Sequence, residues 1–396
     1  MKKMNLVGLL MVFVLLLTGF GTTEASGLKY IGAKENGVPI YDNRTGKMKP
    51  VGSIKLSQAY KVQSDIEGYW GIEFGNGIGY IKKTQSNTAT KPKTVSNVKN
   101  SNKNVITKGN VVVYEKTSTK SKPIIVIAKD QRYPIVSSQD KNWYKVKVAD
   151  KVGYIHKKNV ENDNGIPVLM YHHLLTNAEN KSYRGVSSVT PVENFEAQMK
   201  WLKGQGYEAI LLEDLELFLK KKINLPGKVV AITFDDGLKS NYVYGYPILK
   251  KHGFKATEFL VTSRVHVDET PAYIPNSYQT LSTREIEAMK DTFDFQNHTH
   301  DLHKNEKGKG YVVLKGYEEV KDDFAANKAI INSKYVAYPY GQYNKQTIKI
   351  LKEIDMKMAF TIKNGKVNIG DDLYQLNRLA VNYDTTINEF KKLILN

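Results

Sequence analysis

The sequence predicts a multidomain chain: two small all-β units, then a domain of alternating strands and helices that is either a doubly wound sheet or a barrel. Three observations lead there. A repeat with an offset of 73 to 74 residues occupies the first part of the chain, a basic polar stretch lies within it, and the patterning changes to strand–helix alternation from Gly165. The 396 residues exceed one ordinary domain. A hydrophobic content of 41% is enough for packed cores.

The repeat is read from four matched segments. Pro39-Ile40-Tyr41 corresponds to Val112-Val113-Tyr114, and Tyr60-Lys61-Val62 to Tyr133-Pro134-Ile135. Tyr69-Trp70-Gly71-Ile72 corresponds to Asn142-Trp143-Tyr144-Lys145, and Gly79-Tyr80-Ile81 to Gly153-Tyr154-Ile155. Short alternating runs such as Tyr144-Lys145-Val146-Lys147-Val148, broken by Asp, Asn and Gly, read as strands. Between the units, residues 81–113 carry seven lysines, no acidic residue and many Ser, Thr and Asn, the composition of a solvated linker. The expected divisions are 27–84 and 105–160 for the units and 85–104 for the linker.

In the β/α part, Ile166 to Tyr171 reads as a buried strand. Pro191 to Gln205 reads as a helix with Phe195, Met199 and Leu202 on one face. Strands are expected at Lys228–Phe234, Thr257–Val261, Phe293–Asn297, Tyr335–Pro339, Met358–Ile362 and Leu376–Val381. Helices are expected at Tyr242–Lys251, after a capping box at Ser282-Thr283-Arg284-Glu285, at Leu314–Ile331, at Gln346–Ile354 and at the C-terminus. Both candidate architectures put their chemistry at the C-terminal ends of strands.

The first 26 residues have the pattern of a secretory signal: Lys2 and Lys3, the uncharged apolar run Met4 to Phe20, and Thr23-Glu24-Ala25 before Ser26. An uncleaved membrane anchor is the alternative, since the run is nearly long enough to span a bilayer. Either places the rest of the chain outside the membrane, as a secreted or wall-associated protein. The absence of cysteine excludes disulfides, thiolate metal sites, cysteine nucleophiles and lipid attachment through cysteine. A net charge of +18 favours anionic partners such as wall polymers. The export pattern and the lack of a nucleic-acid-binding motif argue against nucleic acid.

Two polar clusters fall at strand ends. Asp235 and Asp236 follow an apolar strand and precede Gly237, where a turn can bring both carboxylates to one rim. His298, His300 and His303 follow another strand. Two neutral imidazoles and one carboxylate suit a divalent transition metal. The spacing leaves open which pair of histidines ligates. Tyr338-Pro339-Tyr340-Gly341 ends a further strand, where a backbone N–H can face a developing oxyanion.

Thr233-Phe234-Asp235-Asp236-Gly237, the histidine cluster and Pro339-Tyr340-Gly341, in that order, resemble the NodB-homology polysaccharide deacetylases from about Gly165 to Asn396. The resemblance implies an irregular (β/α) barrel with fewer than eight complete units, and removal of acetyl groups from glycans. It implies Asp235 as catalytic base, Asp236 as metal ligand and Tyr340 as the source of the oxyanion amide. The main family motif puts its second histidine four residues after the first, where this chain has Leu302. The form His298-Thr299-His300-Asp301-Leu302-His303 resembles instead the branch acting on poly-β-1,6-N-acetylglucosamine. That implies His298 and His303 as ligands, with His300 outside, and zinc as the metal, with cobalt, nickel or iron as alternatives. The N-terminal units resemble bacterial SH3-like domains. This implies two small all-β SH3-like barrels that bind a cell-wall peptide or, with the basic linker, an anionic wall polymer.

Two positions depart from the pattern. Ala337 stands where many members carry an arginine against the base, and no histidine follows His303 to serve as general acid. His172, at the end of the first strand, is the candidate for the second role. The alternatives are a peptidoglycan deacetylase and a wall-binding protein whose barrel has weak or no catalysis.

Overall fold

The computed structural model describes residues 29–396. The expected signal or anchor lies outside the described residues. Among these, no helix is long and apolar enough to cross a membrane.

The repeat is structural. The first unit runs through strands Tyr30–Ala33, Val38–Asp42, Lys49–Ile54, Tyr60–Ile66, Tyr69–Phe74 and Gly77–Lys82, a 3-10 turn and Ser86–Thr88. The second follows the same course through Asn104–Thr107, Val111–Tyr114, Pro123–Ile127, Arg132–Pro134, Trp143–Val148 and Lys151–His156, a 3-10 turn and Val160–Asn162. The units do not stand apart as two barrels. Lys49–Ile54 pairs antiparallel with Pro123–Ile127, joining them into one twelve-stranded sheet. Ile40, Ile54, Ile72, Val113, Ile125 and Val146 belong to one buried core. Backbones approach closely at the junction, where a Cβ on Gly52 would lie 2.5 Å from the Val126 carbonyl oxygen.

The two tryptophans are not equivalent. Trp143 pairs with His156, and the matching residue of the first unit, paired with Lys82, is Tyr69. Trp143 packs edge-on against Tyr114 as Tyr69 packs against Tyr41, each at 6.1 Å. Trp70 is one residue out of step and so faces the other side of the sheet. There it packs on the core beneath the Lys29 and Lys83 ammonium groups, 3.7 and 4.4 Å from its ring. The linker is shorter than its composition suggests, since regular structure claims 86–88 and resumes at Asn104. It is tied to the second unit by Ser96 N–H to Asp150 O and Ser101 N–H to Ile135 O, at 2.7 and 2.9 Å.

The β/α part is a closed barrel of seven parallel strands: Val168–Tyr171, Val229–Asp235, Ala256–Leu260, Phe293–Asn297, Tyr335–Ala337, Met358–Asn364 and Leu376–Ala380. Closure comes from Val168–Tyr171, which pairs with both Val229–Asp235 and Leu376–Ala380. Continuous apolar runs suit strands covered on both faces, and Val229–Asp235 is buried throughout. Helices cover the outside. Val192–Gly204 buries Phe195, Met199 and Leu202. Tyr246–His252 ends at Gly253 with φ 67°, and Ser282 and Glu285 form their capping box. The expected Leu314–Ile331 helix is broken: a short turn ends at Leu314, and Tyr317–Ile331 starts after the extended Gly316. Glu208–Ile210 and Leu212–Leu219 form a further strand and helix that the patterning missed. Fully buried Arg132 ties the second unit to the barrel domain, bonding Asp163 at 2.6 and 3.1 Å and the Pro226 carbonyl at 2.6 Å.

Candidate active site

The polar clusters meet at the C-terminal mouth of the barrel. The Val229–Asp235 strand delivers Asp235, and the chain then turns at Asp236 itself, whose φ is +80°. This left-handed residue, followed by Gly237 at φ +66°, lets two adjacent carboxylates serve one rim. Thr299 and Tyr340, in the other two site loops, are also left-handed, at φ 76° and 57°.

Asp236, His298 and His303 place one ligand atom each within 4.8 Å of one another. The Nε2 atoms of His298 and His303 lie 3.5 and 3.1 Å from Asp236 Oδ1. That oxygen is buried and has no hydrogen-bond partner. His298 Nδ1 meets the Ala337 carbonyl at 2.8 Å, which leaves Nε2 with its lone pair toward Asp236. Burial pushes the His298 pKa down. Burial opposes ionisation of Asp236, but the two histidines outweigh it and hold the carboxyl well below its usual range. That lowering needs a protonated ring with an N–H on Nε2; when the ring is neutral, as burial favours, the free Nε2 and the ionised Asp236 are the donor set a divalent cation needs. The residues present therefore fit a metal.

The five-residue step from His298 to His303 has a structural cause. Asp323, on the Tyr317–Ile331 helix, accepts the N–H groups of His300, Asp301 and Leu302 at 2.8, 2.6 and 3.1 Å. That wraps the loop so that His303 returns to Asp236. His300 points elsewhere, with Nδ1 3.0 Å from Thr262 Oγ1.

Asp235 is held by Arg378 on the last strand. The guanidinium donates Nη1–H to Oδ1 at 2.7 Å and Nη2–H to Oδ2 at 2.8 Å, both side chains buried. Burial alone would raise the Asp235 pKa, but the Arg378 charge and hydrogen bonds bring it below the ordinary 3.8. His172 Nε2 lies 3.8 Å from Asp235 Oδ2. Tyr340 sits in the first turn after the Tyr335–Ala337 strand, where N–H groups lack intrahelical partners. Its ring lies tilted by 43° against His303, with centroids 4.7 Å apart.

Comparison with known proteins bears on the family of the barrel domain. The family model described as polysaccharide deacetylase matches residues 222–359. The poly-beta-1,6-N-acetyl-D-glucosamine N-deacetylase of Staphylococcus epidermidis is 32% identical over 206 residues, 50% of this chain and 69% of that protein. Its namesake from Staphylococcus aureus is 32% identical over 199 residues, covering 48% and 67%. The chain belongs to the polysaccharide deacetylase family. The solved Streptococcus pyogenes deacetylase PplD in complex with acetate shares the fold, with a TM-score of 0.51 at 24% identity over 59% of this chain and 99% of that one.

Three buried residues of this deacetylase escaped the sequence reading. Arg378 lies within the expected strand Leu376–Val381, where a lone buried arginine needs an anion. Asp323 sits on what patterning shows only as a helix face. Glu258, in the strand Ala256–Leu260, accepts Gly237 N–H at 3.1 Å and Asn241 Nδ2–H at 3.1 and 3.2 Å. Burial pushes its pKa well above the usual value, so it braces the Asp236-Gly237 turn as a neutral acid.

Proposed function

We propose that the deacetylase removes N-acetyl groups from poly-β-1,6-N-acetylglucosamine, with a divalent metal held by Asp236, His298 and His303. The convergence of these three side chains beside an arginine-held Asp235 carries the reading. The histidine spacing and the names of the 32% identical relatives support the substrate. Zinc fits two histidines and a carboxylate best.

When bound, the ion supplies Lewis acidity to the acetyl carbonyl and to water. Asp235, ionised and fixed by Arg378, accepts the proton of the water that attacks the carbonyl carbon. The Tyr340 N–H donates to the oxyanion that develops. The carbon–nitrogen bond breaks, His172 gives its proton to the departing nitrogen, and acetate and a free amine result. We place this reaction outside the membrane, with the N-terminal units holding the barrel near the wall.

The test is acetate release from β-1,6-linked N-acetylglucosamine oligomers, β-1,4-linked oligomers and intact peptidoglycan, with metal content measured in parallel. Asp235→Asn is expected to keep metal and lose at least about 100-fold in rate. His303→Ala is expected to lose metal, while His300→Ala keeps it. Near-normal turnover by Asp235→Asn would overturn the base assignment. Faster release from peptidoglycan would move the substrate to the wall.

A further inference from the structure

Two loops, 176–188 and 265–281, close one side of the barrel mouth. The second runs directly beside the chain that leaves Asp236: Leu281 N–H donates to the Gly237 carbonyl at 2.9 Å and Lys239 N–H to the Gln279 carbonyl at 2.8 Å. Tyr278 is the next residue along this loop. Its ring centroid lies 4.7 Å from that of His173, the buried neighbour of His172, and 5.0 Å from that of Tyr183 on the first loop. Burial raises the Tyr278 pKa and the Asp236 charge adds to the rise, so the phenol stands within range of the metal-site carboxylate. Even so, 47% of Tyr278 is open.

The ring is exposed on a loop that is fastened. Asn276 Oδ1, two residues before it, accepts the N–H groups of Lys181 and Ser182, both at 2.9 Å, and ties the two loops together. Tyr273 O–H donates to Glu179 at 3.2 Å. Buried Lys239 holds the Pro271 carbonyl and pairs with Glu285. The Tyr278 hydroxyl meets Ser188 Oγ at 3.3 Å. An aromatic ring held in place beforehand loses little conformational entropy when a ligand packs on it. Other partly exposed tyrosines of the barrel domain are covered by lysine: Tyr246, Tyr311, Tyr317 and Tyr343 each have an ammonium within 5.8 Å of the ring centroid. Among the described residues, Tyr278 has no such cover.

An open, fixed and uncapped ring with a polar tip suits a ligand that is apolar on one face and wet at its edge. A pyranose with equatorial substituents has that shape, with C–H groups on its faces and hydroxyls around its rim. The reacting acetyl group has to reach Asp235 and His298, each only 2% exposed at the base of the mouth, whereas Tyr278 stands on the outer wall. We infer that Tyr278 is a sugar-binding platform, on which the residue next to the one being deacetylated packs by its C–H face. The inference rests on the glycan reading above and adds a requirement to it: the reacting sugar is gripped through its neighbour, so the substrate is a chain.

The experiment measures binding and turnover separately in the full chain. Calorimetric titration of the Asp235→Asn protein with β-1,6-linked and β-1,4-linked N-acetylglucosamine pentamers gives Kd, with and without Tyr278→Ala, Tyr278→Phe or Tyr278→Trp. Acetate release by the Tyr278 variants with Asp235 intact gives kcat and KM. Tyr278→Ala is expected to weaken pentamer binding and raise KM by about tenfold, with kcat lowered by less than about threefold, the pattern of lost ground-state binding. Tyr278→Phe and Tyr278→Trp should both restore binding, which separates the ring from the Ser188 contact of its hydroxyl. Zinc affinity in chelator competition is expected to stay the same in all three. Binding of the β-1,4 pentamer alone, with the same dependence on Tyr278, would move the substrate and keep the platform. Turnover of the β-1,6 pentamer with a KM indifferent to Tyr278→Ala would remove the platform and keep the substrate. A loss of kcat or zinc affinity at unchanged Kd, a Tyr278→Trp variant as weak as Tyr278→Ala, or no binding of either pentamer would also overturn the inference.

Discussion

Arg378→Met isolates the interaction on which the Asp235 environment depends. The arginine side chain is wholly buried, and its fork donates to both carboxylate oxygens at 2.7 and 2.8 Å. Its Nε–H is used by the Thr361 carbonyl at 3.0 Å. Methionine fills similar volume and leaves Asp235 buried with no cation in contact. Removing one partner of a buried pair costs about 3–5 kcal/mol. For a domain of this size that lowers the melting midpoint by about 6–20 °C. The sign with pH follows from the carboxyl. Its folded pKa lies below 3.8, so the pair stabilises the fold above that value and the stabilisation is lost as pH falls through the folded pKa. The gap between wild type and variant is therefore widest at neutral pH and closes on acidification. Calorimetry at several pH values, with chelator present throughout, reads this directly. The double variant Asp235→Asn/Arg378→Met has no charge to strand and should recover about 1–3 kcal/mol relative to additivity. A strictly additive cycle, or a midpoint unmoved by Arg378→Met, would refute the reasoning.

Two other positions give sharp expectations. Asp323→Ala removes the acceptor of three loop N–H groups, and metal affinity in chelator competition should fall about 10–100-fold although no ligand is touched. Unchanged affinity would mean that the loop holds its shape without Asp323. Glu258 has a folded pKa raised above 4.5, so its contribution is complete below that pH and is lost as pH rises through the folded value. Glu258→Gln keeps an acceptor for Gly237 N–H and should flatten the decline of stability above the ordinary glutamate range; an unchanged slope in urea titrations across that range would refute it.

Much of the architecture was legible because it rests on local rules. Strands buried on both faces need continuous apolar runs, and Val168–Tyr171 lies within the apolar run Ile166 to Tyr171. The Ser282–Glu285 box and Gly253 mark helix ends by backbone chemistry that neighbours do not alter. What stayed hidden depends on partners distant in sequence. The fusion of the two N-terminal units rests on pairing between strands some seventy residues apart. The mismatch of Trp70 and Trp143 is a one-residue difference in register, which similarity of letters cannot reveal. Glu208–Ile210 is too short for a period to show. In the site, Asp235, Asp236 and the three histidines were visible as clusters. Spacing left His300 and His303 open and the resemblance favoured His303, but the physical cause, Asp323, lies twenty residues further on in a helix.

The two departures that favoured an inactive barrel bear on geometry, and the geometry answers them differently. Ala337 lacks the arginine side chain expected there, yet its carbonyl is the acceptor that orients His298. The guanidinium arrives instead from Leu376–Ala380, on the far side of Met358–Asn364 in the ring, and reaches Asp235 bidentately. A closed barrel makes this substitution possible, because every strand aims its C-terminal half at the same mouth and a charge lost from one can be supplied by another. The same argument applies to the general acid that we propose in place of the missing late histidine. His172 follows the first strand, which closes the ring between Val229–Asp235 and Leu376–Ala380, and so stands 3.8 Å from Asp235 although it lies far upstream of it in the chain. Conserving a role in such a barrel requires the side chain to be at the mouth and does not require it to keep its place in the sequence.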